Sequence, residues 1–273
     1  MKTLRNFAPS WLKTYAFLYV IFLYLPVIFL PIFSVNTSAI PKFPLSGFTF
    51  KWYGDLTRTP ALTDAAWNSL LVGISASLLS TIFGICAARA ITRYRFPGRR
   101  TINGLLMAPL VLPEIIVAVS MLLVMLQLGL SLSLITVVFG HVLICIPYSL
   151  SVLTSGFEGF DRSLEEASSD LGESAFGTFR RVTLPMVSPA IISSLLVSFT
   201  ISLDEFIMAF FLTGTEATLP VYIWGQLRFA AKLPGVLALG TLLLAGSILL
   251  LTIAEIVRRR ASNRTQNMGG MIA

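Results

Sequence analysis

Long apolar runs, parted by short polar stretches that collect the arginines, set the pattern of this chain. They lie near Tyr15 to Ser34, Ala66 to Ala90, Ile102 to Leu128, Leu132 to Thr154, Ala190 to Leu212 and Val236 to Ile256. Each is long enough to cross about 30 Å of hydrocarbon as a helix, so the pattern predicts an all-α membrane protein with six transmembrane helices. Six crossings put both termini on one side. The first run follows Lys2, Arg5 and Lys13, as a signal peptide would, but its apolar stretch is too long and lacks a small-residue cleavage site. It is expected to stay as an uncleaved anchor.

Composition agrees. Of 273 residues, 55% are hydrophobic and 12% charged, with mean hydropathy +0.82, whereas soluble domains carry about 25% charged residues. One membrane domain is expected over residues 14–260, with a cytoplasmic N-terminus at 1–13, a polar loop at 156–189 and a cytoplasmic tail at 261–273.

A net charge of +7 would suit a nucleic-acid binder only if the basic residues formed a patch. They sit instead in clusters at helix ends. With the N-terminus in the cytoplasm, only Lys42, Lys51, Arg58, Arg228 and Lys232 of the 20 Lys and Arg residues fall outside. By the positive-inside rule both termini are cytoplasmic, and no nucleic-acid partner is expected. Cys86 and Cys145 each lie in an apolar run without a neighbouring Cys or His at metal-ligand spacing, so neither a disulfide nor a metal site is expected. The outer segment from Val35 to Asp64 carries Phe50, Trp52 and Tyr53. Their rings suit either the membrane interface or a partner-binding surface.

The stretch from Gly156 to Pro189 is too polar for the bilayer yet reads as helix. Ser163 and Glu166 have capping-box spacing, and Glu165 and Glu166 suit a positive helix N-terminus. Gly172 can close this short helix in the left-handed conformation. A second amphipathic helix through Phe176, Phe179 and Val182 then runs to Pro185, and Ser188 with Pro189 has the pattern of an N-cap and first turn. Spacing alone leaves two readings, an ordinary interfacial helix or a shape that a soluble partner grips.

Glu166-Ala167-Ser168, then Gly172, then Val182-Thr183-Leu184-Pro185 resembles the cytoplasmic EAA loop of ABC importer permeases at every interval, with Ser168 and Val182 as conservative departures. The resemblance implies the type I importer permease fold, with a coupling helix that docks on an ATP-binding subunit through Glu166, Ala167 and Gly172, together with Ser168 and the flanking Glu165, Asp170 and Leu171. No lysine follows a glycine in this chain, so the phosphate-binding P-loop is missing. ATP and Mg are then expected on partner subunits, with no cofactor and no catalytic residue here.

Acidic groups in hydrocarbon are costly unless they face a cavity or a partner. Glu114 lies in the third run, where Pro109 and Pro113 are expected to kink the helix, and Asp204 and Glu205 lie in the fifth. On that fifth helix Thr200, Asp204 and Phe211 lie near one stripe, and Ser198, Ser202, Glu205 and Ala209 near another. Both stripes are expected to face the translocation path or a partner permease, with Phe206, Phe210 and Phe211 as rings for a cation; packing is the competing reading. The lone His141 suits an interhelical hydrogen bond better than a proton relay.

Phe199 to Glu205, Phe210-Phe211-Leu212-Thr213-Gly214, Thr218-Leu219-Pro220, Ala108 to Val111 with Pro113-Glu114, and Trp52-Tyr53 with Asn68-Ser69-Leu70 look like spermidine/putrescine permeases of the PotC type. The resemblance implies a multi-pass subunit of a bacterial inner membrane. Its partners would be a second, different permease, two ATP-binding subunits and an extracytoplasmic substrate-binding protein. A polyamine is the implied substrate, with an opine, an amino-acid derivative, thiamine or iron as alternatives in the same class. An ion-coupled secondary transporter would also use Glu114, Asp204 and Glu205, but leaves the cytoplasmic motif without a role.

Overall fold

Prolines and buried hydroxyls, as much as apolar length, decide how these runs fold. The computed structural model describes residues 10–246, 248 and 249. The expectations for residues 1–9 and for the tail lie outside them, as does the far end of the sixth run. The described helices fall into two compact units, one formed by the residues up to Thr59 together with those from Gly225 onward, the other by Pro60–Trp224.

The first unit contains α1 (Ser10–Ser34), α2 (Lys51–Leu56) and an apolar helix at Ala230–Gly246. Most apolar side chains of α1 are exposed, as suits a helix that meets lipid or another subunit. At its last residue, Ser34 Oγ and Tyr53 OH are 2.6 Å apart; just beyond, the Trp52 indole N–H donates to the Asn36 carbonyl at 2.8 Å, and Asn36 Oδ1 accepts from the Ser46 N–H at 3.0 Å. Tyr53 is thus tied to the end of α1 and Trp52 to the chain just beyond it, whereas Phe50 stays exposed.

In the second unit, α3 (Pro60–Arg93), α6 (Leu134–Glu158) and α10 (Ser188–Asp204) pack pairwise on one another. Hydrophobic burial cannot drive helices together in lipid, so small residues and interhelical hydrogen bonds do that work. A Cβ on Gly84 would sit 2.9 Å from the Ser149 Cβ and from Leu153 Cδ1, so α3 and α6 approach only because this glycine has no side chain. Ser149 Oγ lies 2.8 Å from Ser198 Oγ, Thr81 Oγ1 3.0 Å from Ser194 Oγ, and His141 Nδ1 2.7 Å from Ser202 Oγ. Ser194, Ser198 and Ser202 recur every four residues along α10, so these three hydroxyls share one face of that helix and meet α3 and α6 along it.

Apolar clusters flank that seam. Val72, Ala118, Val137, Ile144, Met208 and Leu212 form one; Ala88, Ile91, Leu150, Leu153, Phe157 and Val187 form the other.

Among the described residues, α1, α3 and α6 are long and apolar enough to cross a membrane singly. The third run is instead two helices, α4 (Arg99–Val111) and α5 (Glu114–Gln127), bent by 108°. Pro113 is the cause: it cannot continue the amide ladder and pushes Leu112 into extended conformation (ψ 144). The expected kink is present and far sharper than a bend in a continuous span. The fifth run is also broken, with α11 (Ile207–Leu212) following α10 after Glu205 and Phe206. A nine-residue helix, α12 (Leu219–Leu227), follows. Asn68 Nδ2 donates to the Ala217 carbonyl at 3.0 Å and Ser69 Oγ accepts from the Leu219 N–H at 2.8 Å, so those two polar residues of α3 hold the turn that leads into α12.

Candidate coupling surface and membrane carboxylates

Between α6 and α10 the chain folds back as α7 (Ser163–Asp170), α8 (Ala175–Thr178), a π-helical turn at Phe179–Thr183 and α9 (Leu184–Met186). The start of α7 corrects the capping-box expectation. The Ser163 N–H donates to Asp161 Oδ1 at 3.0 Å, so the upstream Asp161 supplies the cap, and Glu166 pairs with Arg162 across one turn at 3.1 Å. A carboxylate is the stronger acceptor at a positive helix end, and the Ser163 N–H and hydroxyl hold Asp161 below the usual carboxylate range.

The end of α7 is as expected. Gly172 has φ +87, its N–H donates to the Ser169 carbonyl at 3.0 Å, and the Glu173 N–H reaches the Ser168 carbonyl at 3.1 Å. These are the two bonds of a Schellman ending.

Pro185 does not end the second helix, which continues to Met186 before a 68° bend into α10. The widened π-turn just before it relieves the clash that a proline makes with the preceding turn. Ser188 is the first residue of α10, but its hydroxyl donates back to the Pro185 carbonyl at 2.7 Å and caps nothing.

The residues grouped by the EAA pattern divide into two faces. Glu166, Ala167, Asp170, Leu171 and Gly172 are exposed, and Leu171 is 90% so. Phe176, which the sequence reading placed only on an amphipathic face, is also exposed. Glu165 and Ser168 turn inward. Ser168 Oγ lies 3.0 Å from Thr178 Oγ1, and Glu165 meets Arg93 and Thr183. The outer edge is therefore a small, partly apolar surface that a protein partner can cover.

The membrane acids are separated in the same way. Asp204 ends α10 exposed, whereas Glu205 is buried and its Oε1 accepts the Met208 N–H at 2.8 Å, capping the broken helix α11. Glu114 occupies the first turn of α5, which packs on α11, and its carboxyl faces that of Glu205. Two interrupted helices thus bring acidic N-termini together. Phe206 stands 5.4 Å from both the Phe210 and the Trp224 rings, measured between centroids. Trp224 was not singled out in the sequence, because α12 is too short to register as a span.

The stripe of Ser198, Ser202, Glu205 and Ala209 is buried within the chain rather than facing a path or a partner. Ser202 hydrogen-bonds His141 there, as the interhelical reading of that histidine anticipated. Thr200 and Asp204 form the exposed stripe.

Residues 80–263 match the family of binding-protein-dependent transport system inner membrane components. The chain is 33% identical over 252 residues to the spermidine/putrescine transport system permease protein PotC of Shigella flexneri, covering 91% of this chain and 93% of that one. It is 35% identical over 251 residues to the putrescine transport system permease protein PotI of Escherichia coli K12, covering 89% of each. Among solved structures, a bacterial ABC transporter involved in import of the acidic polysaccharide alginate aligns with TM-score 0.69 at 19% identity, over 90% of this chain and 94% of that one. The MetNI methionine ABC transporter aligns with TM-score 0.58 at 19% identity, over 77% and 98%. These agreements in sequence and fold make the chain a multi-pass inner-membrane permease of the type I ABC importer fold, belonging to the binding-protein-dependent transport system family.

Proposed function

We propose that this chain is one of two permease subunits of a bacterial importer that moves a polyamine into the cytoplasm. In this reading both termini are cytoplasmic, two ATP-binding subunits hold ATP and Mg, and an extracytoplasmic binding protein delivers the substrate. The chain itself carries no cofactor and no catalytic residue.

The observation that carries the reading is the exposed edge of α7, where Glu166, Ala167, Asp170 and Leu171 stand outward and Gly172 closes the helix. Small and partly apolar, it suits insertion into a cleft on an ATPase subunit. Closure of the ATPases around ATP would push that edge and rock the attached helices. The choice of a polyamine rests on the relatives named above and on the acids of the broken helices. Asp204 and Glu114 would offer negative charge to ammonium groups, and Phe206, Phe210 and Trp224 would offer ring faces to the alkyl segments between them. Glu205 and Ser202 would act behind that path, by capping α11 and by fixing α10 to α6.

Reconstitution of the chain with its cognate subunits in liposomes tests this. ATP-dependent uptake of radiolabelled spermidine or putrescine is expected, accompanied by faster ATP hydrolysis once loaded binding protein is added. Uptake without ATP, or of thiamine or iron in preference to any amine, would overturn it.

A further inference from the structure

The end of α3 and the coupling helix meet at one carboxylate. Glu165 Oε2 lies 2.9 Å from Arg93 Nε, and Glu165 Oε1 accepts the Thr183 hydroxyl at 2.6 Å, so both oxygens are engaged. The two side chains of the ion pair are only 13% and 17% exposed, and Thr183 is fully buried. Arg93 also donates through Nη2 to the Phe160 carbonyl at 3.3 Å, just past the end of α6. One turn earlier on α3, the Arg89 guanidinium stacks 4.2 Å from the Phe179 ring centroid. Phe179 and Thr183 are the first and last residues of the π-turn, whose extra residue sets the register that brings Thr183 to Glu165.

We infer that Arg93, Glu165 and Thr183 form a mechanical joint that fastens the coupling helix to α3 and to the turn entering α10, so that a push on α7 reaches both helices at once. This rests on the coupling reading above and reassigns Glu165 within it, from a docking contact to a positioning residue. The neighbouring ion pairs differ in kind. Arg162–Glu166 has side chains 66% and 64% exposed, and Arg181–Glu173 has an arginine 76% exposed; water screens such pairs until they contribute little. In the joint, loss of one member leaves a largely buried charge without its partner, which is far more disruptive. The cap at Asp161 and the Schellman ending at Gly172 do not involve the joint. Without it α7 should therefore remain a helix that an ATPase subunit can grip, while its motion no longer reaches the bundle.

The test uses Glu165→Gln, Arg93→Ala and the charge swap Arg93→Glu with Glu165→Arg, each assembled with the cognate subunits in lipid nanodiscs or liposomes. The single variants are expected to retain the ATPase subunit on purification, to lose the acceleration of ATP hydrolysis by loaded binding protein, and to lower uptake about tenfold or more; the swap should restore most of both. A second measurement needs no partner. Trypsin applied to the chain alone in nanodiscs should cut after Arg162, Arg180 and Arg181 several-fold faster in the single variants, and at the parental rate in the swap. Single variants with parental uptake and parental protease resistance would overturn the joint. Loss of the ATPase subunit from Glu165→Gln would also overturn it, by returning Glu165 to the docking face. A parental chain that binds no ATPase subunit would instead overturn the coupling reading, and the trypsin rates alone would then decide the joint.

Discussion

Asp204 and Glu205 are neighbours in sequence with opposite surroundings: Asp204 is exposed at the last turn of α10, and Glu205 is buried with its Oε1 accepting the Met208 N–H at 2.8 Å. Replacing each therefore tests a different thing. Asp204→Asn removes a charge that the backbone does not use, so it should raise KM for a cationic substrate by about tenfold and leave folding unchanged. Unaltered uptake kinetics would take Asp204 out of the path. Glu205→Ala removes the acceptor at the start of α11, a loss of about 1 kcal/mol for a helix cap. It should appear as a lower thermal midpoint in detergent before any effect on substrate affinity.

Gly172 gives a sharper separation of folding from coupling. Its φ of +87 is one that a side chain resists, and a Cβ built there meets nothing within 4 Å. Gly172→Trp should thus insert in the membrane normally, with only local strain, while placing a large ring on the edge assigned to the ATPase subunit. Purified complexes should lack that subunit, and ATP-dependent uptake should fall to background. Normal uptake by this variant would argue against docking at that edge.

The cytoplasmic loop shows how far the pattern of residues can be read. Gly172 could be placed in the left-handed conformation because only a glycine tolerates that ending without strain, and the apolar runs of α1, α3 and α6 were legible because each stays one continuous helix, even across Pro26 and Pro31 in α1 and Pro147 in α6. The α10 stripe was not legible. A serine every fourth residue marks a face that avoids lipid, but a helix–helix seam and an aqueous path both satisfy that rule. Burial of Ser198 and Ser202 against α6 was therefore beyond the pattern. Glu165 and Glu166 pose the same limit at closer range. Adjacent carboxylates on a polar helix read alike until the end of α3 brings Arg93 beside one of them. The 108° turn at Pro113 shows a third limit, since a proline announces a break and tertiary packing sets its size.

Asp161 supplies a prediction in pH. Its carboxyl is held below the ordinary range by the Ser163 N–H and hydroxyl, so the cap favours the charged form. The stabilisation is complete above the unfolded carboxyl value of about 3.9, and is lost as pH falls through the lower folded value. A carbon-13 titration of the Asp161 carboxyl in nanodiscs should have its midpoint below about 3.9. In Ser163→Pro, which lacks both the N–H and the hydroxyl, the midpoint should return to the ordinary range. An ordinary midpoint in the parental chain would mean that the cap does not form.

The aromatic group beside the acids gives the last test. Phe206 is 5.4 Å from both Phe210 and Trp224, and Trp224 on α12 is 47% exposed, so its ring can meet a ligand while bracing Phe206. A ring face contributes about 0.5 to 2 kcal/mol to holding a cation, which corresponds to a change of about twofold to thirtyfold in affinity. Trp224→Phe keeps a ring and should remain within a few-fold of the parental KM for spermidine; Trp224→Leu keeps apolar bulk without a ring and should lie near the upper end of that range. Because ring attraction is short-ranged, the Trp224→Leu defect should persist at high salt, where the exposed Asp204 contribution is screened. If leucine and phenylalanine at this position gave the same KM, the cluster would be packing alone, and charge on the neighbouring acids would have to account for recognition of the amine.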